Sequence, residues 1–215
     1  SWNEVPIQSY DLHYGLGQIG GSYGTGLADG SYWGQRYPEQ RITDLVGMTI
    51  DKVSIFLRYV GQYTVYLYKG MVADADHLLA SKNFSGVVGW NEIELESPIL
   101  LEQGNDLWVV FYTDSNIRYP CAFEYYNGPG QEEAHYMWFN FNENVFISNL
   151  PGNISWPIKM HLTDGDFTFN LYRDDERIGE GLCAPTYHDT EIPVGTHEYY
   201  VKTCANDWES DASDT

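Results

Sequence analysis

Residues 50–69, IDKVSIFLRYVGQYTVYLYK, constrain the fold more than any other stretch of this chain. Val53, Ile55, Leu57 and Tyr59 fall on one side of an extended backbone, with Ser54, Phe56, Arg58 and Val60 on the other. After Gly61-Gln62 the alternation resumes, with Tyr63, Val65 and Leu67 against Thr64, Tyr66 and Tyr68. Period-two alternation of β-branched and aromatic residues around a short glycine-containing break predicts an antiparallel hairpin. Both of its faces carry apolar groups, which predicts a place in the middle of a sheet that is covered on each side.

The rest of the chain extends this pattern. Residues 10–37, rich in Gly, Ser and Tyr, suggest two or three short strands joined by tight turns. PEQRITDLVGM (38–48) is the best helix, with Pro38 at its start and Gly47 as its stop. A second helical turn is expected at Asp74 to Leu79. Asn91, Ile93 and Leu95 alternate with Glu92, Glu94 and Glu96, the signature of a strand with one wet face. DLWVVFYT (106–113) is apolar on both faces and reads as a buried central strand. Residues 118–126 give another short strand and Asn127-Gly128-Pro129-Gly130 a turn. HYMWFNF and NVFISN form the arms of a hairpin, and Ile154 to Leu162 a closing strand. Eight or more antiparallel strands with few helices predict an all-β, jelly-roll-like antiparallel β-sandwich over residues 1–163.

Near Asp164 the character changes. Residues 166–215 carry twelve acids against three bases, and FTFNLYRD, ERIGEG and THEYYVKTC are short strands around a turn at Pro185. Residues 164–215 therefore read as a small separate β module.

Charge and cysteine content narrow the function. With 31 acids against 11 bases the net charge is -20, which repels nucleic acid and anionic lipid and suits an extracellular protein. No apolar run approaches the roughly 20 residues of a membrane helix. The opening Ser1-Trp2 reads as that of a mature or excised chain. Cys183 and Cys204 flank two expected strands and would pair in an oxidising location if their distance permits. Cys121 is then left as a small buried apolar side chain. The six histidines are scattered, with no metal-binding or catalytic signature, so no catalytic residue is assigned.

Aromatic residues are the first ligand-binding candidates, because a planar ring stacks on the apolar face of a sugar or packs a peptide side chain. Tyr32, Trp33 and Tyr37 lie in the glycine-rich region, and Tyr125, Tyr126, Tyr136 and Trp138 in the late loops. The same rings would serve equally well as caps of the core. For a cofactor the sequence offers only a structural calcium ion, with Asp74, Asp76, Asp164 and Asp166 as its carboxylates. The Asn142-Glu143-Asn144 stretch is of the same kind, and a solvated acidic loop is the alternative at each.

Tyr172-Arg173-Asp174, Ile178, Gly181-Leu182, Tyr187, Asp189, Pro193, Gly195-Thr196, Tyr199 and Val201 form a pattern. It resembles the fibronectin type III-like modules of secreted Bacteroidetes proteins, including adhesins and the adhesin regions of gingipain-type proteases. ITDLVGMTIDKVSIF, TVYLYKG, GWNEIEL with SPILL, DLWVVFY and ISWPIKMHL look like the β-sandwich that precedes such a module. Two strands expected before the YRD strand are absent, and the chain stops before a last strand, so the module reads as incomplete. The resemblance implies secretion or surface display and non-catalytic adhesion to a glycan or an extracellular, host-type protein. Its alternatives are an accessory region of a secreted peptidase whose catalytic domain lies elsewhere, and a structural spacer.

Overall fold

The structure, a computed structural model, describes residues 9–15, 18–24, 30–114, 119–140, 145–147, 153–164, 168–182, 187–190, 192–205 and 208–213. Strands β1 (Ser9–Leu12), β2 (Ile19–Tyr23) and β3 (Ser31–Tyr37) lead to one helical turn, α1 (Glu39–Ile42). A 3-10 turn at Thr43–Leu45 continues it, and Gly47, with φ of 94°, ends it in a conformation that glycine adopts without strain. β4 (Met48–Leu57), β5 (Gly61–Lys69), β6 (Leu78–Gly86), β7 (Gly89–Leu100) and β8 (Leu107–Thr113) follow. Then come β9 (Cys121–Tyr125), β10 (Tyr136–Asn140), β11 (Val145–Ile147), β12 (Ile154–Ser155) and β13 (Ile158–Asp164). β14 (Thr168–Arg173), β15 (Glu176–Leu182), β16 (Tyr199–Ala205) and β17 (Trp208–Glu209) complete the described strands. Residues 9–163 form one compact unit, and Asp164–Thr215 belongs to a second.

The first unit is a sandwich of two sheets. One follows the order β1-β13-β4-β9-β12, with β7 beside β4 and β2 beside β9; the other runs β11-β10-β3-β8-β5-β6. Alternate residues of each enter a shared apolar interior. Ile50, Val53, Ile55, Leu57, Ile93, Met160 and Leu162 come from the first sheet. Trp33, Tyr37, Tyr63, Val65, Leu67, Val109, Phe111 and Met137 come from the second. This is the all-β sandwich that the alternation predicts. β8 lies between β3 and β5, and all but one of its seven residues are buried, as its two apolar faces require.

The stretch 50–69 is not a hairpin. Leu57, at the end of β4, is opposite Gly89 and Cys121 in the seven-stranded sheet, whereas Gly61 is opposite Gly86 in the six-stranded one. The chain crosses from sheet to sheet at Arg58–Val60, so its two inward sets face each other across the interior. A glycine-containing break between two alternating runs serves either geometry. β6 and β7 make a second crossing alongside, where a Cβ on Gly86 would come within 2.5 Å of Leu57 Cδ1 and 2.7 Å of the Tyr63 ring. Only glycine fits that close approach.

The second unit holds a four-stranded sheet in the order β15-β14-β16-β17. β14 and β15 are joined through Asp174 and Asp175, both with positive φ (51° and 67°). A two-residue turn of this hand matches the twist of the flanking strands, and aspartate tolerates it better than most side chains. Asp174 also reaches the approach to β16: its Oδ1 accepts from the Glu198 amide at 3.0 Å, and its Oδ2 meets His197 Nδ1 at 2.5 Å. Those hydrogen bonds lower the Asp174 carboxyl from its ordinary 3.8, and the Asp174 bond raises His197 above 6.5. The carboxylate's contribution to stability is present above 3.8 and lost as pH falls through its folded value. The imidazolium's is complete below 6.5 and lost as pH rises through its own folded value. The contact is therefore strongest between about pH 4 and 6.5. An NMR titration of His197 is expected to give a pKa above 6.5 that falls in Asp174→Asn; an unchanged value in the variant would exclude the pairing.

Candidate functional site: the outer face of the six-stranded sheet

The strand registers place the outward residues of the six-stranded sheet in rows. Trp138, Tyr32, Tyr112, Thr64 and Asn83 stand side by side on β10, β3, β8, β5 and β6. The next row is Tyr136, Gly34, Val110, Tyr66 and Ser81, and a third holds Arg36, Trp108 and Tyr68. Directly opposed residues have Cβ atoms about 4.5–5.5 Å apart, so each row is a continuous surface.

One half of this surface is aromatic and largely closed. Trp108, Tyr136, Trp138, Tyr68 and Val110 form a buried cluster with Ala73 of the β5–β6 connection, and Tyr32 and Tyr66 pack against it. Trp108 Nε1 donates to Gly70 O at 2.9 Å, tying that connection over the rings. Arg36 lies 5.6 Å from the Trp108 ring and donates to Asp106 Oδ2 through Nε (2.9 Å) and Nη2 (2.5 Å). Asp106 Oδ1 in turn accepts from the Glu39 amide, anchoring the start of α1. Gly34 sits in the middle row because a Cβ there would approach Val109 O to 2.2 Å.

The other half is polar and open. Where the two halves meet, a recess of about 280 Å³ is lined by Gln62, Tyr63, Thr64, Asn83, Tyr112 and Asp114. Tyr112 is its aromatic wall, half-buried and stacked on Tyr32 with ring centroids 4.3 Å apart. Thr64 Oγ1 donates to Asn83 Oδ1 at 2.7 Å, which fixes the amide and leaves its N–H donors for other work. Gln62 is held alongside by Ser85, with Nε2 3.0 Å from its hydroxyl. Burial, with Tyr66 and Tyr112 close by, pushes the Tyr32 phenol up to about 12. Burial and the Asp114 charge raise Tyr112 as well. Both phenols are therefore protonated donors at neutral pH. The recess thus offers a flat apolar ring beside hydroxyl, amide and carboxylate groups, a surface for stacking and hydrogen bonding.

A second recess of similar volume is lined by Ile42, Leu79, Ile99, Leu100, Leu101 and Leu107, with the Lys69–Glu102 pair at 3.0 Å. Asn105 and Asp106 also line it, but it contains no aromatic ring on which a sugar could stack.

Of the rings singled out in the sequence, Tyr32, Tyr136 and Trp138 belong to the outer face, but Tyr136 and Trp138 are buried supports (5% and 2% exposed). Trp33 and Tyr37 are core residues, 1% and 0% exposed, because odd-numbered positions of β3 point inward. Tyr37 donates to Gln35 Oε1 and stacks on Tyr14, and Trp33 packs on Phe111 and Tyr63. Neither can touch a ligand in the folded protein. Tyr125 is exposed on β9 of the other sheet, and Tyr126 is pinned through its hydroxyl to Pro129 O. They do not join the Tyr112 site. Tyr66, Tyr112, Gln62, Thr64, Asn83 and Asp114 escaped the sequence reading. The available signal was the polar-aromatic face of YTVYLYK taken together with the even positions of DLWVVFYT.

Asp74 is committed as a cap: its Oδ1 accepts from the Asp76 amide at 3.1 Å and lies 2.6 Å from His77 Nδ1. Asp76 is exposed, and Asp166 and the Asp164 side chain lie outside the described residues. Among the described residues, no three His, Cys, Asp or Glu side chains gather as a metal site. Of the expected Cys183–Cys204 pair, Cys204 is a half-buried thiol on β16, and Cys183 lies outside the described residues. Cys121 is fully buried, and burial raises its thiol far above the ordinary value. A thiol reagent is expected to label half-buried Cys204 in the native protein and Cys121 only after denaturation, read by peptide mass spectrometry. Native protection of Cys204 that reductant removes would instead show it paired in a disulfide.

No family model matches the chain. A 37-residue stretch, 17% of the chain, is 43% identical to gingipain R1 of Porphyromonas gingivalis, and it spans 2% of that protein. Among solved structures, the tripod (BppUct-A-L) from the baseplate of bacteriophage Tuc2009 is 9% identical. The alignment covers 97% of this chain and 78% of that one, at a TM-score of 0.21 that carries no argument. No helix among the described residues is long and apolar enough to cross a membrane.

Proposed function

We propose that residues 9–163 are a non-catalytic binding module of a secreted or surface-displayed protein, which holds a glycan on the outer face of the six-stranded sheet. The observation that carries this reading is the Tyr112 ring set beside Thr64, Asn83, Gln62 and Asp114 in one recess. A pyranose has an apolar C–H face and an equatorial rim of hydroxyls, and this pairing of ring and polar groups complements both. The acidity of the chain and the stretch shared with gingipain R1 support an extracellular setting. Purified protein applied to glycan and matrix-protein arrays tests the reading. Glycan binding without turnover of chromogenic peptides or glycosides is expected; silence on the glycan array together with turnover would overturn it. The 37-residue likeness also favours a second reading, an accessory region of a secreted peptidase, which a protease domain encoded in the same gene would support.

A further inference from the structure

We infer that the recess selects neutral glycans and rejects those bearing carboxylate or sulfate groups; this rests on the glycan reading above. The inference comes from the charges around the site. Of the described side chains lining the recess, Asp114 is the one acidic group, and none is Lys, Arg or His. Among the described residues, the nearby cations Lys82 and Arg36 are engaged elsewhere. Lys82, adjacent to Asn83 on β6, extends its Nζ to Glu94 O on β7 at 2.6 Å. Arg36, at the far end of the same face, is held by Asp106. An anionic sugar stacked on Tyr112 would thus meet a carboxylate with no free counter-charge among the described residues, inside the field of a chain of net charge -20.

Asp114 has a different use toward a neutral sugar. A carboxylate accepts from two hydroxyls at once, and such charge-assisted bonds are the stronger kind. Thr64, Asn83 and Gln62 supply the complementary neutral donors and acceptors. With no charge on the ligand, affinity should scarcely respond to salt.

The test is an array of neutral glycans printed beside their sialylated and sulfated counterparts, with titrations of the best matched pair at 50 and 500 mM NaCl. Neutral members should bind at least tenfold tighter than their acidic counterparts, with less than a twofold change across the salt range. Asp114→Lys should weaken the neutral member and narrow or reverse the tenfold gap. Preferential binding of acidic glycans to the wild-type chain, or a gap unaltered in Asp114→Lys, would overturn the inference and leave the glycan reading standing. Silence of both sets would overturn the glycan reading itself.

Discussion

Trp33→Ala is expected to cost about 3–5 kcal/mol of stability, the range for deleting a large, fully buried aromatic side chain. Trp33 is buried in the interior, stacked on Phe111 of β8 and edge-on to Tyr63 of β5, so truncation removes contacts to two other strands of the sheet and leaves a cavity. Domains are stable by only about 5–15 kcal/mol, so the change would consume a large part of the total. A loss of melting temperature of about 10 °C is anticipated for a unit of this size. Trp33→Phe should recover most of it. The fraction that remains folded should bind ligand with wild-type affinity, because the ring faces the core. A Trp33→Ala protein of normal stability with weakened binding would put this ring at the ligand instead.

The neighbouring pair Tyr32 and Trp33 shows where the sequence stops being informative. Alternation says that the two rings point to opposite faces, but not which face is inside. Polarity misleads here, since Gln35 shares a face with Trp33 and would ordinarily argue that this face is wet. Gln35 is instead fully buried, because Nε2 donates to Trp156 O at 2.6 Å and Ala134 O at 3.3 Å, and Tyr37 donates to its Oε1. Those carbonyls are 121 and 99 residues away along the chain, beyond the reach of any local pattern. DLWVVFYT was legible for the opposite reason: both its faces are apolar, so its central position follows whichever face turns inward. The 50–69 stretch was legible as two strands and misleading as a hairpin, since a local break cannot report which sheet the next strand joins. The recess was illegible because it is assembled from three strands in register, with its polar and aromatic members scattered between Gln62 and Asp114.

Tyr112→Ala should have the converse effect to Trp33→Ala. Tyr112 is half-buried at the surface, so the cost to folding should stay within about 1 kcal/mol. Ligand affinity should fall at least about tenfold, ~1.4 kcal/mol, since the ring is the only aromatic wall of the recess facing outward. Tyr112→Phe should retain the stacking surface and most of the affinity. Tyr125→Ala, which removes a more exposed ring on the opposite sheet, should leave binding unchanged. That contrast separates recognition by a strand-borne face from recognition by whichever aromatic group is most accessible.

The most direct test is an amide chemical-shift titration of the chain with the neutral glycan that binds best on the array. Perturbations should concentrate at residues 62–66, 81–85 and 110–114 of the six-stranded sheet. Perturbations confined to residues 121–130, or to the strands after Thr168, would contradict the assignment of this face as the binding surface.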